Sequence, residues 1–515
     1  MASARRFPQA GIATPHHLAS AAGLDVLAAG GNAIDAAVAA NLTLGVVTPY
    51  LCGFGGDLFA IVWDGELHGY LGSGRSGTAA SIDALRSGVP SEHMPYFGPH
   101  SVTVPGAVDG WFALLDRWGT RSFGELAAAA RRYALDGFAV SAPAGDIITG
   151  CRGFYTEFPE WMAAYGAIET GAVLRQPALA RTIDALAADG RDAYYGGPIG
   201  SAIAAALEKQ GGFHRADDVA AHAGEWTTPM RARYRGVEIA ELPPPTQGVS
   251  ALEALRILDG FDLPVQGPAR EHLMIEAVKL ALADRDMFVT DPDHMPVAAE
   301  RLVSEAWIAD RRKRLDPDIA MIPEPGLPHV GGTAYLCAAD ADGLLVSLIQ
   351  SNFLGFGSGV HVPEWGINLN NRGSSFSLDP HRVNAFGASK RPLHTLVPAM
   401  ALRDATPWLV FGSMGGDAQI QVHVQLLTDM IDGGADAQDA IDAARWRVDP
   451  GTWLLHAEPG LGADTIAALE TRGHRVRTSR PLDSGMGHAH AIELIDSGGY
   501  AVASDPRSEG AALGL

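Results

Sequence analysis

Residues 331–351 read GGTAYLCAADADGLLVSLIQS, with two apolar runs of strand length on either side of a turn. The turn at 340–343 contains Asp and Gly, so the stretch predicts a β-hairpin. Thr333 stands at the head of the first predicted strand, directly behind Gly331 and Gly332. A threonine in this position is typical of an enzyme that cleaves its own chain.

The chemistry of such a cleavage needs these residue types next to each other. Gly332 lets the backbone bend until the Thr333 hydroxyl reaches the preceding carbonyl. Attack there moves the acyl group from nitrogen to oxygen, and water then cuts the ester. The freed α-amino group, with a reference pKa of about 8, serves as general base for its own hydroxyl. Taken alone, however, Gly-Gly-Thr before a strand is also typical of an ordinary turn.

Composition limits the class of protein. The chain has 515 residues, of which 47% are hydrophobic and 19% charged, as in globular proteins with a large core. The net charge of -21 disfavours nucleic acid and anionic membranes as partners. Three scattered cysteines and a first segment without an apolar run favour a cytoplasmic protein with no disulfide framework.

Two further glycine-rich segments hold candidate site residues. Residues 72–77 (GSGRSG) follow a predicted strand, but no acidic strand end follows at dinucleotide-site spacing, so we reject a dinucleotide site. Arg75 in this loop is a candidate to hold a carboxylate, the alternative being a surface charge. Gly415 and Gly416 precede a predicted helix at 418–431. Their N–H groups can form an oxyanion hole, and a tight packing turn is the alternative.

The remaining patterns predict stacked layers of helices and strands. Asn32 is placed to cap a buried helix from 33 to about 44, and Ser250 to cap another at 251–258. A long amphipathic helix is predicted at 271–288. Residues 316–330 have little periodicity and predict an exposed linker before Thr333. Grouped strands with helices between them favour an α/β/β/α arrangement, which is an α+β fold.

Two other kinds of catalytic site find little support. His488 and His490 form a close histidine pair, but no third ligand stands at useful spacing, so we predict no metal and no cofactor. Ser413 lacks the glycine spacing of a hydrolase nucleophile elbow, which disfavours a Ser-His-Asp enzyme.

Four motifs together resemble the γ-glutamyltransferase family, in order along nearly the whole chain: residues 30–39 (GGNAIDAAVA), 243–248 (PPPTQG), 390–393 (KRPL) and 503–508 (ASDPRS). The resemblance implies the four-layer αββα sandwich of N-terminal nucleophile (Ntn) hydrolases. It implies cleavage between Gly332 and Thr333 into subunits 1–332 and 333–515, with Thr333 as nucleophile. Ser351 matches the hydroxyl residue that bonds the nucleophile, Gly415 and Gly416 match the oxyanion pair, and Arg75 matches the arginine that grips the substrate carboxylate.

Departures from the family pattern bear on the substrate. The family's asparagine is Phe353 here, its ammonium-binding acid is Ser375, its glutamine is Arg372, and its serine pair is His394 and Thr395. An α-ammonium would lose a charge-assisted bond of about 1.5–3 kcal/mol. These departures resemble the γ-glutamyltransferase-like amidohydrolases, a branch that includes oxamate amidohydrolase. A small carboxylate-bearing amide is therefore the expected substrate. A glutathione hydrolase or γ-glutamyl transferase, an acylase-like enzyme and an uncleaved pseudoenzyme are the alternatives, and a homodimer of the cleaved heterodimer stays open.

Overall fold

The computed structural model describes residues 4–89, 91–323 and 331–515. The strands are β1 (Arg5–Phe7), β2 (Gly11–Thr14), β3 (Asp57–Trp63), β4 (Leu67–Gly72), β5 (Phe138–Ala139), β6 (Val173–Leu174), β7 (Glu225–Thr227), β8 (Met230–Tyr234), β9 (Val237–Glu241), β10 (Gly332–Ala339), β11 (Leu345–Phe353), β12 (His361–Val362), β13 (Ile367–Asn368), β14 (Ala399–Arg403), β15 (Thr406–Ser413), β16 (Trp446–Asp449), β17 (Leu454–Ala457), β18 (Arg475–Thr478), β19 (Ala489–Leu494), β20 (Tyr500–Ser504) and β21 (Ala511–Gly514).

The helices are α1 (His17–Ala28), α2 (Ala33–Val47), α3 (Ile82–Gly88), α4 (Ala107–Trp118), α5 (Phe123–Leu126), α6 (Ala128–Asp136), α7 (Ala142–Cys151), α8 (Pro159–Tyr165), α9 (Pro177–Asp189), α10 (Asp192–Tyr195), α11 (Pro198–Lys209), α12 (Ala216–Ala220), α13 (Gly248–Leu258), α14 (Pro268–Phe288), α15 (Glu305–Arg314), α16 (Ala418–Ile431), α17 (Ala437–Asp442) and α18 (Ala463–Thr471). Every one of these helices falls short of the length and apolarity that a bilayer crossing requires.

Two antiparallel seven-stranded sheets form the centre of the described chain. Their strand orders are β1-β20-β19-β15-β14-β9-β8 and β21-β2-β10-β11-β3-β4-β7. Apolar side chains such as Phe59, Tyr335 and Met400 fill the space between the sheets. Helices α1 and α2 cover the outer face of the second sheet, and α13 and α16 cover that of the first. Because each sheet buries both faces, the result is the predicted αββα sandwich.

The hairpin predicted from residues 331–351 is the middle of the second sheet. Strands β10 and β11 pair antiparallel, from Gly332 opposite Phe353 to Ala339 opposite Leu345. Strand β3 lies on the other side of β11, with Asp57 opposite Ser351. The head of β10 pairs with β11 alone, yet Thr333 is buried there and shielded from water.

Helix starts differ in how well the sequence predicted them. Asn32 caps α2 with a reciprocal bond to Asp35, as its position before the apolar run predicted. Ser250 does not cap α13, because that helix already begins at Gly248, with Gln247 at its N-cap position. The side chain of Gln247 is used elsewhere, in the site described below. Helix α14 was predicted to be amphipathic, yet polar side chains such as Lys279 are buried as well.

Residues 316–323 belong to the predicted linker, whose residues 324–330 lie outside the described ranges. The side chains of residues 316–319 are exposed. The backbone is nonetheless held in place: His272 Nε2 lies 2.9 Å from the Asp316 carbonyl oxygen. The Met321 N–H donates to Glu276 Oε2 at 2.8 Å, and Trp453 Nε1 donates to the Pro323 carbonyl at 3.0 Å. The segment thus connects α14 with the part of the chain after Thr333.

Candidate active site

Thr333 and Ser351 form a buried hydroxyl pair at the end of the β10–β11 hairpin. Thr333 Oγ1 donates to Ser351 Oγ at 3.2 Å, and both side chains are 1% exposed. Ser351 Oγ donates in turn to the Gly332 carbonyl oxygen at 2.5 Å, and it accepts the Phe353 N–H at 2.7 Å. The hydroxyl proton of Ser351 therefore points at the carbonyl oxygen of Gly332, the residue directly before Thr333.

The local backbone explains why two glycines precede Thr333. The pairing of β10 with β11 shifts by one residue between Gly332 and Ala334, which is a β-bulge at Thr333. A Cβ atom at Gly332 would lie 2.9 Å from the Tyr50 carbonyl oxygen, and one at Gly331 would lie 2.9 Å from that of Phe353. Larger residues would push the bulge out of place.

Gly415 and Gly416 form the turn between β15 and α16. Their φ values of +135° and +60° lie in the region that side chains disfavour, so the turn requires glycine. Neither N–H donates a hydrogen bond to any residue within the described ranges. The Gly416 carbonyl accepts from Gln247 Nε2 at 3.0 Å, which anchors the end of the turn. The turn therefore leaves two backbone N–H groups available as hydrogen-bond donors.

The side chain of Gln247 belongs to the candidate site, although the sequence analysis assigned no role to it beyond the PPPTQG motif. Its Nε2 also donates to the Thr395 carbonyl at 2.9 Å, and its Oε1 accepts Arg285 Nη1 at 2.6 Å. Arg285 is in turn paired with Asp417, next to the glycine turn. The signals available were the glutamine inside the PPPTQG motif and an arginine inside an apolar helix.

Arg75 lies in the glycine-rich loop after β4 and is already paired. Its Nη1 donates to Asp291 Oδ2 at 2.8 Å and to the Ser389 carbonyl at 3.0 Å. The Arg75 side chain is 35% exposed, whereas Asp291 is 1% exposed. The positive charge of Arg75 is therefore balanced by a buried carboxylate.

Arg372 differs from Arg75 because it is buried and most of its guanidinium is unused. Nη1 donates to Thr395 Oγ1 at 3.1 Å, and Cζ lies 4.0 Å from the centre of the Phe353 ring. Nε and Nη2 are buried and have no hydrogen-bond partner in the described part of the chain. We call these two nitrogens the open edge of Arg372. Burial lowers the pKa of Arg372 to about 9, so it stays charged at neutral pH.

His394 faces Asp57, a residue that the sequence analysis also missed. His394 Nδ1 accepts the Leu396 N–H at 3.4 Å, so Nε2 is the donor to Asp57 Oδ2 at 3.0 Å. Both side chains are fully buried. Burial, and then the charge of Arg372, hold the pKa of His394 well below 6.5, while burial raises the pKa of Asp57 to about 7. His394 thus has no ring nitrogen left for a substrate.

Phe353 and Ser375 each line a recess. Phe353 has a φ of +79°, a strained value for an aromatic residue, and its ring borders a cavity of about 400 Å³. Ser375 lines a narrower recess of about 30 Å³. Its Oγ is buried without a hydrogen-bond partner among the residues described. Carboxylates also line these recesses, Asp286 in the one with Ser375, and Glu92 and Asp379 in the cavity at Phe353.

One cluster in the described ranges has the composition of a metal site. Ligand atoms of His272, Glu276 and His474 lie within 4.8 Å of one another. Lys279 Nζ, however, is 2.8 Å from Glu276 Oε1 and 3.4 Å from His474 Nδ1. An ammonium already supplies the positive charge that the carboxylate needs, so we assign the cluster a structural role.

The architecture and the comparisons together identify the class and the family. Two facing antiparallel sheets between helix layers, with the hydroxyl pair at the head of a central strand, define the Ntn-hydrolase class of enzymes. The chain belongs to the gamma-glutamyltranspeptidase family, whose sequence model matches residues 19–515. Both the family resemblance and the αββα fold predicted from the sequence are thus confirmed.

Individual relatives cover almost the whole chain. The "Glutathione hydrolase-like YwrD proenzyme" of Bacillus subtilis is 36% identical over 98% of this chain and 98% of its own. The "Oxamate amidohydrolase proenzyme" of Klebsiella pneumoniae is 36% identical over 97% of each chain. The crystal structure of a cephalosporin acylase from Bacillus halodurans has a TM-score of 0.96 and 36% identity, and covers 100% of this chain and 97% of its own.

Proposed function

We propose that the chain is a self-processing amidohydrolase in which Thr333 first cleaves the chain and then acts as the nucleophile. The bond to be cut lies between Gly332 and Thr333, which gives subunits 1–332 and 333–515. The observation that carries the proposal is the hydroxyl of Ser351, bonded both to Thr333 Oγ1 and to the Gly332 carbonyl oxygen.

The two hydrogen bonds of Ser351 provide a balanced path for the first step. As Thr333 Oγ1 attacks the Gly332 carbonyl carbon, its proton moves to Ser351 Oγ, and the Ser351 proton moves to the carbonyl oxygen. Collapse of this intermediate breaks the C–N bond and returns a proton to the nitrogen, which leaves an ester and a free amine. Water then hydrolyses the ester and frees the Thr333 α-amino group.

The freed amine serves as general base in the mature enzyme. It takes the Thr333 hydroxyl proton as Oγ1 attacks the substrate amide, and gives a proton to the leaving nitrogen. The N–H groups of Gly415 and Gly416 stabilise the oxyanion; loss of one such donor typically costs about 10²–10³ in kcat. Water then releases the acid from the acyl-enzyme. No cofactor enters these steps.

The substrate that fits this site best is a small amide carrying a carboxylate and no α-ammonium. Arg75, Arg372 and Thr395 supply the cationic and polar groups for the carboxylate. Ser375 and Phe353 offer no negative charge to an ammonium. Similarity to a protein named oxamate amidohydrolase supports this class, because oxamate is a carboxylate joined directly to an amide. Glutathione-type substrates, which carry an α-ammonium, fit the same residues less well.

Intact-mass spectrometry of the purified protein tests the proposal. We expect two chains, the second beginning at Thr333, and a single chain of 54.0 kDa for Thr333→Ala. Thr333→Ser keeps a hydroxyl and serves as the matched control, which should still be cleaved. An uncleaved wild-type chain would favour a pseudoenzyme, and cleavage of Thr333→Ala would refute the nucleophile.

Turnover assays then separate the candidate substrates. Oxamate and γ-glutamyl-p-nitroanilide present the same type of bond without and with an α-ammonium. Strong turnover of the γ-glutamyl compound alone would favour a glutathione hydrolase or transferase. The cytoplasmic location and a homodimer of heterodimers stay predictions.

A further inference from the structure

The open edge of Arg372 lies between the two halves of the candidate catalytic site. On one side the guanidinium stacks on Phe353, whose N–H donates to Ser351 Oγ. On the other side it bonds Thr395, whose carbonyl shares the Gln247 donor with Gly416. The open edge is therefore linked to the hydroxyl pair through Phe353 and to the oxyanion turn through Thr395 and Gln247.

A buried guanidinium with two unused donors favours a planar anion. Leaving buried N–H donors unpaired costs free energy, which a carboxylate can offset by accepting from Nε and Nη2 together. The Phe353 ring occupies one face of the guanidinium, so a ligand approaches in the guanidinium plane. The same positive charge repels an ammonium, which restricts substrates to those without one.

Asp57 is the buried carboxylate that faces this cation from strand β3. The groups acting on Asp57 from neighbouring elements are the Gly74 and Gly106 N–H groups and the side chains of Arg372, Arg391, Tyr194 and His394. His394 is neutral, and Arg391 is bound to Glu225 at 2.7 Å. Arg372 is also acted on by Asp417, which is itself held by Arg285. Arg372 is therefore the main positive charge that favours the ionised form of Asp57.

We propose that the open edge of Arg372 binds the substrate carboxylate, and that Asp57 is a positioning residue that takes up one proton from solvent when the carboxylate binds. This inference rests on the proposed function and specifies its substrate-binding residue. Arg75 is paired with Asp291 and contributes less. A second carboxylate beside Arg372 weakens the attraction that keeps Asp57 ionised and adds like-charge repulsion, so the pKa of Asp57, about 7 before binding, rises.

The first test compares charge-removing variants with oxalate, a planar dicarboxylate, as the binding probe. Arg372→Gln places a neutral amide at this position. We expect it to weaken oxalate binding about 10- to 100-fold and to raise KM for oxamate similarly, with little change in KM for acetamide. Arg131→Gln removes an exposed, paired arginine and is the matched control. A larger loss in Arg75→Gln than in Arg372→Gln, or no oxalate binding to wild type, would overturn the assignment.

The second test counts protons. Calorimetric titration of wild type with oxalate at pH 7.5, in two buffers of different ionisation enthalpy, should show uptake of a large fraction of one proton. Asp57→Asn should abolish the uptake and flatten the affinity between pH 6 and 8, an effect that a purely structural role would not produce. Absence of uptake in wild type, or uptake that persists in Asp57→Asn, would refute the role of Asp57.

These outcomes are distinct from failure of the proposed function. A chain that is never cleaved, or that hydrolyses no amide, refutes the amidohydrolase. Oxalate binding and proton uptake are measured without turnover, so they still decide the assignment of Arg372. If Asp57→Asn does not fold, Asp57→Ser, which also removes the carboxyl, is titrated in its place.

Discussion

Arg372 and Lys279 are both buried cations, but their surroundings differ. Arg372 is 1% exposed and uses one nitrogen for a hydrogen bond to Thr395. Lys279 is 2% exposed and uses all three ammonium protons, to Glu276 Oε1 at 2.8 Å, the Met321 carbonyl at 3.1 Å and His474 Nδ1 at 3.4 Å. One cation is left open towards the hydroxyl pair, and the other is fully enclosed.

The hydrogen bonds around Lys279 define a complete chain of donors. Because Lys279 donates to His474 Nδ1, His474 Nε2 donates to His272 Nδ1 at 2.8 Å. His272 Nε2 is then the donor to the Asp316 carbonyl. Each histidine thus donates from Nε2 and accepts at Nδ1, and every member has a partner. The cluster holds residues 316–323 against α14 and against the turn before β18.

The difference teaches how a structural charge cluster can be told from a binding site. A structural cluster satisfies its own donors, so its removal costs stability. A binding site keeps donors free for a ligand, so its removal costs affinity. The two cations should therefore respond to mutation in opposite ways. Both responses are measured as changes in the free energy of unfolding of the Thr333→Ala chain, which is expected to remain one polypeptide.

The largest effect is expected at Lys279. Lys279→Met keeps the apolar stem but leaves Glu276 as an unpaired buried carboxylate. Breaking a buried pair in this way costs about 3–5 kcal/mol of unfolding free energy. Urea unfolding should show this loss. Lys209→Met is the control, because Lys209 is exposed and 3.8 Å from Glu160, and it should change stability by less than about 1 kcal/mol. Equal losses in both variants would remove the distinction between an enclosed and a surface lysine.

The enclosed cluster should also make stability depend on pH. Burial, and then the charge of Lys279, lower the pKa of His474 to about 3 from its usual 6.5. Below pH 6.5 the unfolded chain binds a proton at His474 that the folded chain does not bind, so the free energy of unfolding decreases as the pH falls. Between pH 7 and 5 the loss amounts to about 2 kcal/mol.

A variant isolates this contribution from that of other buried histidines. His474→Gln should reduce the difference in urea stability between pH 7 and 5 by about 2 kcal/mol relative to the parent chain. His381→Gln, at an exposed position, should leave that difference as it is. An unchanged pH dependence in His474→Gln would mean that His474 is charged in the folded chain.

The sequence predicted local features well and long-range ones poorly. The hairpin at Thr333 and the Asn32 cap depend on neighbours within a few residues, so periodicity and capping preferences are enough to predict them. Asp57 meets His394 at a separation of 337 residues, and Lys279 meets His474 at 195. A single sequence carries no signal for such pairs. A charged residue inside an apolar helix or strand could only mark them as unusual.

The misplaced cap at Ser250 has the same origin. Local preference alone favours serine at an N-cap. Gln247 begins the helix earlier because its side chain is fixed from outside, by Arg285 and by the carbonyls of Thr395 and Gly416. Tertiary hydrogen bonds to the site therefore override the local preference.

The smallest effect on stability is expected at Arg372. Arg372→Gln removes a buried charge with two unused donors, which favours the folded chain, but deprives Asp57 of the cation that most favours its ionised form, which disfavours it. At pH 6, below the pKa of about 7 that burial gives Asp57, this carboxyl takes up a proton and the second effect fades. Urea unfolding at pH 6 should therefore change by less than about 1 kcal/mol. A loss of about 3 kcal/mol or more, as in Lys279→Met, would make Arg372 a structural cation like Lys279.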